Sequence, residues 1–396
     1  MKLTLFLLSC LFAFLAGHMV NYSIIFLSLE WFDSHSIAGI GYALCFAPPV
    51  IWGWFAGVYC DRYSPRNVIL VAQNSYFISL FLLYLAFDQS ADTQLILLLT
   101  AAFFSGIGWS FVAPARFAAV VFYVKPEKLM LGSIGLNLMV MTGFGLAPML
   151  LKVINVDFGW QGVMFTTVTL LFVSSLLLLP LKIKFKSKPA DKALAEIVES
   201  LKFIKGSPEL KQLLSLAAIA YLLMGPMQVL LPTVAEQTLQ LSQTGQGNYL
   251  SLVAFSLIIG GLLTMAMKKK VHFGWLCIIS IALAGAGIAS LGVIEQLSTS
   301  VTLLIIASVC GGIAISLIVA GLQYFSPTQY RGRIMSVYTI IGQFIPAMSG
   351  LGAGIFAGLF SYQTALLLFG GLIIISLLLA SWRFKTIRAI SQLESH

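Results

Sequence analysis

Two side chains that ionise stand inside long apolar stretches of this chain: His18 in SCLFAFLAGHMVNYSIIF and Arg116 in SGIGWSFVAPARFAAVVF. A charge at the centre of a membrane-crossing helix costs roughly 2.5–3.5 kcal/mol on insertion scales, so each is a candidate for chemistry. Histidine is the side chain that holds or releases a proton near neutral pH, according to the charge of what lies beside it. His18 therefore reads either as a proton carrier or as a neutral imidazole hydrogen-bonded within a bundle. Arg116 reads either as a long side chain reaching for the membrane surface or as a fork for an anionic substrate or a helix end. Glu30 and Glu236 close two apolar runs, where a carboxylate gathers cations or protons or is simply solvated. Asn21, Asn137, Gln228 and Gln343 are uncharged polar residues inside such runs, suited to substrate contacts or to interhelical hydrogen bonds.

Reactive constellations of other kinds are absent from the sequence. Its 4 histidines are scattered, and no H-E-x-x-H, paired aspartates, Gly-x-Ser-x-Gly or ATP-binding loop occurs. The 5 cysteines, Cys10, Cys45, Cys60, Cys277 and Cys310, show no paired spacing and read as small core residues. No enzyme, cofactor or metal centre is expected, and any work the protein does must draw on an ion gradient or on its substrate.

A further group of charges is gathered in GVYCDRYSPRN, residues 57–67, between two apolar runs. A tight turn between antiparallel helices leaves carbonyls exposed at the end of the first. Arg62 and Arg66 can bond those carbonyls, and Asp61 can accept from the start of a neighbouring helix. Gly57, one turn before Asp61, lets another helix approach closely. The island reads as a latch, with a plain solvated turn as the alternative.

The elements that must position these residues follow from composition. Hydrophobic residues are 59% of the chain and charged ones 9%, against roughly 45–50% apolar residues in soluble domains. The apolar runs are of helix-spanning length and lack the alternation of barrel strands, so the expected class is an all-α, multi-pass membrane protein. Spans are expected at 3–29, 37–60, 67–87, 95–122, 131–154, 160–180, 211–235, 247–267, 273–294, 301–324, 334–359 and 364–382. They form two sets of six, at 1–180 and 211–396, joined by a polar linker at 181–210. That linker shows amphipathic spacing at Leu194, Ile197, Val198, Leu201 and Ile204, as an interfacial helix would. The first run continues to Leu29, too long for the apolar core of a signal peptide, and reads as a span. Of the 23 lysines and arginines, all but Lys152 fall on the face that carries both termini, which makes that face cytoplasmic. The net charge of +9 is thereby explained by orientation, with no nucleic acid implied. Trp31, Trp160, Trp275 and Trp382 lie at span ends, whereas Trp52, Trp54 and Trp109 lie deeper.

The island resembles a known signature. GVYCDRYSPR is similar to the G-x-x-x-D-R-x-x-R-R motif of the major facilitator superfamily, matching at Gly57, Asp61, Arg62 and Arg66 and departing at Pro65. APARFAAVVFYVKPEKLMLGSIGL, ESLKFIKGSPELKQLL and RGRIMSVYTIIGQFIPAMSGLGAGIFAGLF resemble segments of its enterobactin-exporter and macrolide-efflux branch. The resemblance implies two six-helix bundles opening alternately to either side, with a cytoplasmic latch that includes Arg331 and Arg333. It implies that spans 1, 5, 7 and 11 line the path, which makes Asn21, Asn137, Gln228 and Gln343 the uncharged contacts, and it places His18 near an aspartate of relatives. In span 5, GFGLAPMLLK keeps Gly143 and Pro148 of the drug-antiporter motif, a kink site, but not its other positions. The expected function is secondary active transport, most simply proton-coupled export of a siderophore or amphipathic drug by a monomer in a bacterial cytoplasmic membrane. Import of a siderophore or nutrient, or lipid flipping, are the alternatives. Expected partners are the small molecule, protons and membrane lipids.

Overall fold

The computed structural model describes residues 2–124, 129–181, 193–266 and 272–390, and among these every regular element is helical. Helix α1 spans Lys2–Phe32 and stops where Asp33 turns to φ 45°. Ser34 then caps α2 (His35–Phe46), its hydroxyl accepting from the Ile37 N–H at 3.3 Å. The sequence reading has one helix over 37–60. The chain instead starts a new helix, α3, at Pro48–Arg62, because Pro48 and Pro49 offer no N–H to the preceding turn. Helices α4 (Pro65–Ala86) and α5 (Ala91–Val120) follow.

Helix α6, Leu129–Leu178, merges the fifth and sixth expected spans and departs from helical geometry at Gly159, φ 62° and ψ −171°. Only a residue without Cβ adopts that combination readily. Helical dihedrals run on through Gly143 and Pro148, the expected kink, so the break falls at the glycine between the two spans.

The second half begins with α7 (Ala193–Gly206), followed by α8 (Pro208–Tyr221), α9 (Met224–Thr233) and a π-helical turn at Val234–Thr238. One helix was expected over 211–235. The structure divides it at Leu222 and Leu223, just before Pro226, and Pro232 precedes the π turn. Then come α10 (Gln243–Ala266), α11 (Phe273–Leu291), α12 (Leu297–Phe325), α13 (Thr328–Leu359), α14 (Tyr362–Arg383) and the short α15 (Lys385–Ala389).

Contacts group the chain into two units, one of residues Met1–Asp191 with Leu241–Ser251, the other of Lys192–Gln240 with Leu252–His396. In the first, α1 packs along α6, and α5 is flanked by α2, α3 and α4. In the second, α11 packs on α12 and α14, and α13 on α9. Among the described residues 11 apolar stretches are long enough to cross a bilayer, Gly132–Leu178 being 47 residues long. Large apolar side chains such as Val71, Phe165 and Trp382 remain exposed, as lipid-facing positions do.

Candidate functional site

His18 and Arg116, both buried in the first unit, lie on the seam between α1 and α5. The two helices run antiparallel, so each turn along one is matched by a turn along the other: Asn21 meets Ser105, His18 and Phe14 meet Trp109, and Cys10 and Ser9 meet Arg116. On α1 these residues recur at three- and four-residue steps, and on α5 at steps of four and seven, spacings that place side chains on one face.

At one end of the seam Arg116 is fully buried, and so does not reach the membrane surface. Its Nη1 donates to Ser9 Oγ and Cys10 Sγ, both at 3.2 Å. Its Nη2 donates to Ser174 Oγ at 3.0 Å and Gln73 Oε1 at 3.4 Å. Ser9 and Ser174 also bond each other's carbonyls at 2.9 and 2.8 Å, and Gln73 Nε2 reaches Ser174 Oγ at 3.4 Å. One guanidinium thus joins α1, α4, α5 and α6. Its partners are all uncharged, and Nε has none. The small hydroxyls and amide of this hub were not singled out from the sequence. Ser9, Gln73 and Ser174 each sit on an apolar helix, but nothing in a single strand of text shows that three helices turn them toward one point.

Further along the seam the polar atoms are left without partners. Neither ring nitrogen of His18, nor Asn21 Nδ2, nor Trp109 Nε1 is hydrogen-bonded, although all are buried. The imidazole lies between aromatic walls, its centroid 5.2 Å from both Trp109 and Phe144. Tyr22 stacks on Phe144 at 6.2 Å and Phe14 meets Trp109 edge-on at 5.9 Å. Asn21 Oδ1 accepts from Ser105 Oγ at 2.7 Å, which fixes the amide with its N–H bonds turned away from that partner. Gly143 holds this wall close, since a Cβ there would lie 2.8 Å from the Leu15 backbone nitrogen. Lys152 Nζ sits 4.2 Å over the Phe26 ring, farther along the same helices.

The remaining candidates lie elsewhere. At the close of α1 the single indole N–H of Trp160 is shared between the two carboxylate oxygens of Glu30, at 3.2 and 3.0 Å. Asn137 is exposed and donates to its own helix at Ser133 O, 3.1 Å. Gln228 is buried in α9, Gln343 is half-buried in α13, and Glu236 is exposed in the π turn.

The island departs from its expected bonding. Arg66 does not serve the helix before the turn. It caps the far end of α6, Nε donating to Leu178 O at 2.9 Å and Nη2 to Leu179 O at 2.6 Å. The reason is reach, because Arg66 points from the first turn of α4, where the α6 carbonyls are left open. Arg62 is exposed in the last turn of α3, and the surroundings of Gly57 and the side chain of Asp61 lie outside what is described.

In the second unit Arg331 donates to Ser326 O at 3.4 Å within its own turn. Arg333 lies 3.9 Å from Glu199 of α7, and Glu199 accepts from Tyr330 Oη at 2.7 Å. Phe203 stacks on the Tyr330 ring at 4.7 Å. Leu201 of α7 faces outward and Ile204 inward, while Leu194, Ile197 and Val198 have side chains outside the described residues. The bond to Glu199 raises the Tyr330 hydroxyl above the usual phenol range, and burial and the Glu199 charge add to it against Arg333.

Solved structures of known transporters share this architecture. The chain is similar to a mutant of the nucleoside transporter NupG, at 13% identity and a TM-score of 0.77, covering 97% of this chain and 100% of that one. It resembles a D-xylose-proton symporter at 16% identity and a TM-score of 0.74, over 98% and 99% of the two chains. The human organic anion transporter TETRAN matches at 16% identity and a TM-score of 0.61, over 96% and 98%. At such identities the likeness is one of fold. Among curated proteins no sequence match was found. The sequence pattern of the Major Facilitator Superfamily extends over residues 5–350, and the chain belongs to that family of transporters.

Proposed function

We propose that the protein is an alternating-access secondary transporter that moves a small organic molecule across a bacterial cytoplasmic membrane, and that the α1–α5 seam around His18 contacts the cargo. The observation that carries the site is the cluster of unpartnered buried polar atoms at His18, Asn21 and Trp109, enclosed by rings. Buried polar groups are normally satisfied, so a cluster of unsatisfied ones marks a place where something else binds.

In this reading the chain crosses the membrane twelve times. A helix rises about 1.5 Å per residue and a bilayer core is about 30 Å thick, so the 47-residue stretch broken at Gly159 is two crossings. Both termini are then cytoplasmic, and substituted cysteines at Asp88 and Lys269 label from opposite faces. Export is the favoured direction, by resemblance to the enterobactin-exporter branch, with import through the same fold as the alternative. The Arg66 cap and the Arg331 and Arg333 cluster act at the cytoplasmic side as the latch, and 181–210 links the two bundles.

His18 is the proton carrier of this proposal. Inverted vesicles given a pH gradient and radiolabelled 2,3-dihydroxybenzoate test it. Uptake driven by the gradient is expected for the wild type and is expected to be lost in His18→Gln. Full uptake by that variant would remove His18 from coupling.

A further inference from the structure

The unpartnered atoms along the seam are not of one kind in equal measure. A neutral imidazole brings one donor and one acceptor, an indole one donor, and a primary amide nitrogen two donors. Trp109, Asn21 and His18 therefore present a surplus of N–H donors against a single ring acceptor. What satisfies them must be rich in acceptors and poor in donors, as a carboxylate or phenolate is. The surrounding rings of Phe144, Phe14 and Tyr22 favour a flat π face on the same molecule.

Charge points the same way. Arg116, on α5 at the end of the same seam, bonds only uncharged groups, so no carboxylate among its partners cancels its charge. From Cys10 to His18 is about 12 Å along α1, and at an effective dielectric near 20 a unit anion beside His18 gains about tenfold in affinity from that charge. In α1 the only acidic residue is Glu30 in its last turn, and in α5 the only one is Asp92 in its first, so neither helix carries an anion near His18.

We infer that the cargo is an aromatic organic anion, whose acid oxygens take the N–H groups of Trp109, Asn21 and His18 while its ring lies against Phe144. This rests on the seam being the cargo site. It selects the aromatic acids among the expected substrates and excludes cationic amphipathic drugs.

The test is equilibrium binding to the full-length protein in nanodiscs, with four probes: salicylate, salicylamide, cyclohexanecarboxylate and benzylamine. Salicylate is expected to bind about tenfold or more tightly than salicylamide, since its oxygens make charge-assisted bonds. Cyclohexanecarboxylate is expected to be weaker for want of a π face, and benzylamine weakest. Trp109→Phe keeps a ring and loses one N–H, and is expected to lower salicylate affinity about tenfold. Asn21→Asp keeps the oxygen that Ser105 bonds and turns the two donors into an acceptor. It should reverse the order of salicylate and benzylamine, an outcome that a merely structural role for Asn21 would not produce.

Benzylamine or salicylamide binding as tightly as salicylate, or no salicylate binding at all, overturns the anion assignment. If the wild-type order holds but Trp109→Phe and Asn21→Asp leave it unmoved, anions bind elsewhere and the seam is not the cargo site.

Discussion

The two ends of one helix seam are built in opposite ways. Around Arg116 four side chains from three other elements close on the guanidinium, leaving only Nε without a partner. Around His18, two turns away on α1, buried donors face rings and find no acceptor. Both regions are buried and polar, so burial and polarity do not tell a structural centre from a binding site. The difference is in completion: a network whose bonds are made holds helices together, and one whose bonds are not made takes a partner from outside in the function proposed above.

That contrast breaks if the two regions respond alike to mutation. The largest effect is expected at Arg116→Ala. Four bonds to a charged donor, each worth roughly 1.5–3 kcal/mol net, and the filled volume are lost, while several kcal/mol of charge desolvation are relieved. The balance should destabilise by about 3 kcal/mol, read as a lower thermal midpoint in detergent. Arg116→Met restores volume without charge and should recover only part of that. Trp109→Phe, by contrast, loses no hydrogen bond in the folded protein and only the volume of one ring, so about 1 kcal/mol is expected. A midpoint for Trp109→Phe as low as that of Arg116→Ala would show the seam to be structural throughout.

A satisfied arginine nearer solvent sharpens the scale. Arg66 makes two bonds to the open carbonyls of α6 but is only half-buried. Water can replace much of what Arg66→Gln removes, so about 1 kcal/mol is expected, and high salt should shrink it. Equal loss at Arg66 and Arg116 would mean that location in the bundle matters little.

These regions were unequally legible beforehand. An apolar chain with lysines and arginines gathered between its apolar runs betrays its membrane class and helical content, because bilayer thickness and backbone bonding leave few alternatives. His18, Asn21 and Arg116 stood out because polar atoms are rare in such text. What could not be read was tertiary: that Arg116 turns inward to Ser9 and Ser174, or that Arg66 reaches α6 and not the helix before it. Local backbone breaks were half legible. Pro48–Pro49 and Pro226 were visible as residues, yet whether a proline bends or divides an apolar helix depends on its neighbours in space. Trp109 was noticed for its depth, but the surplus of donors exists only once Asn21 and His18 face it.

The smallest effect is expected where the charges are most exposed, at the contact of α7 with the start of α13. Tyr330 donates to Glu199, and Phe203 lies on the Tyr330 ring. Glu199→Gln keeps an acceptor and removes the charge, so α7 should open only two- to threefold more often, seen as faster tryptic cleavage at the exposed Lys202 and Lys205 in purified protein. The phenol is raised by this contact, so the folded form holds its proton more tightly. The contribution is therefore complete below the ordinary tyrosine range, about 10, and fades as pH rises through the elevated value. Cleavage should be flat between pH 7 and pH 9 by this route and rise only above, and Tyr330→Phe should abolish that rise. A change already present near neutral pH would assign the contact to Arg333 and Glu199 alone and leave the tyrosine as a stacking ring.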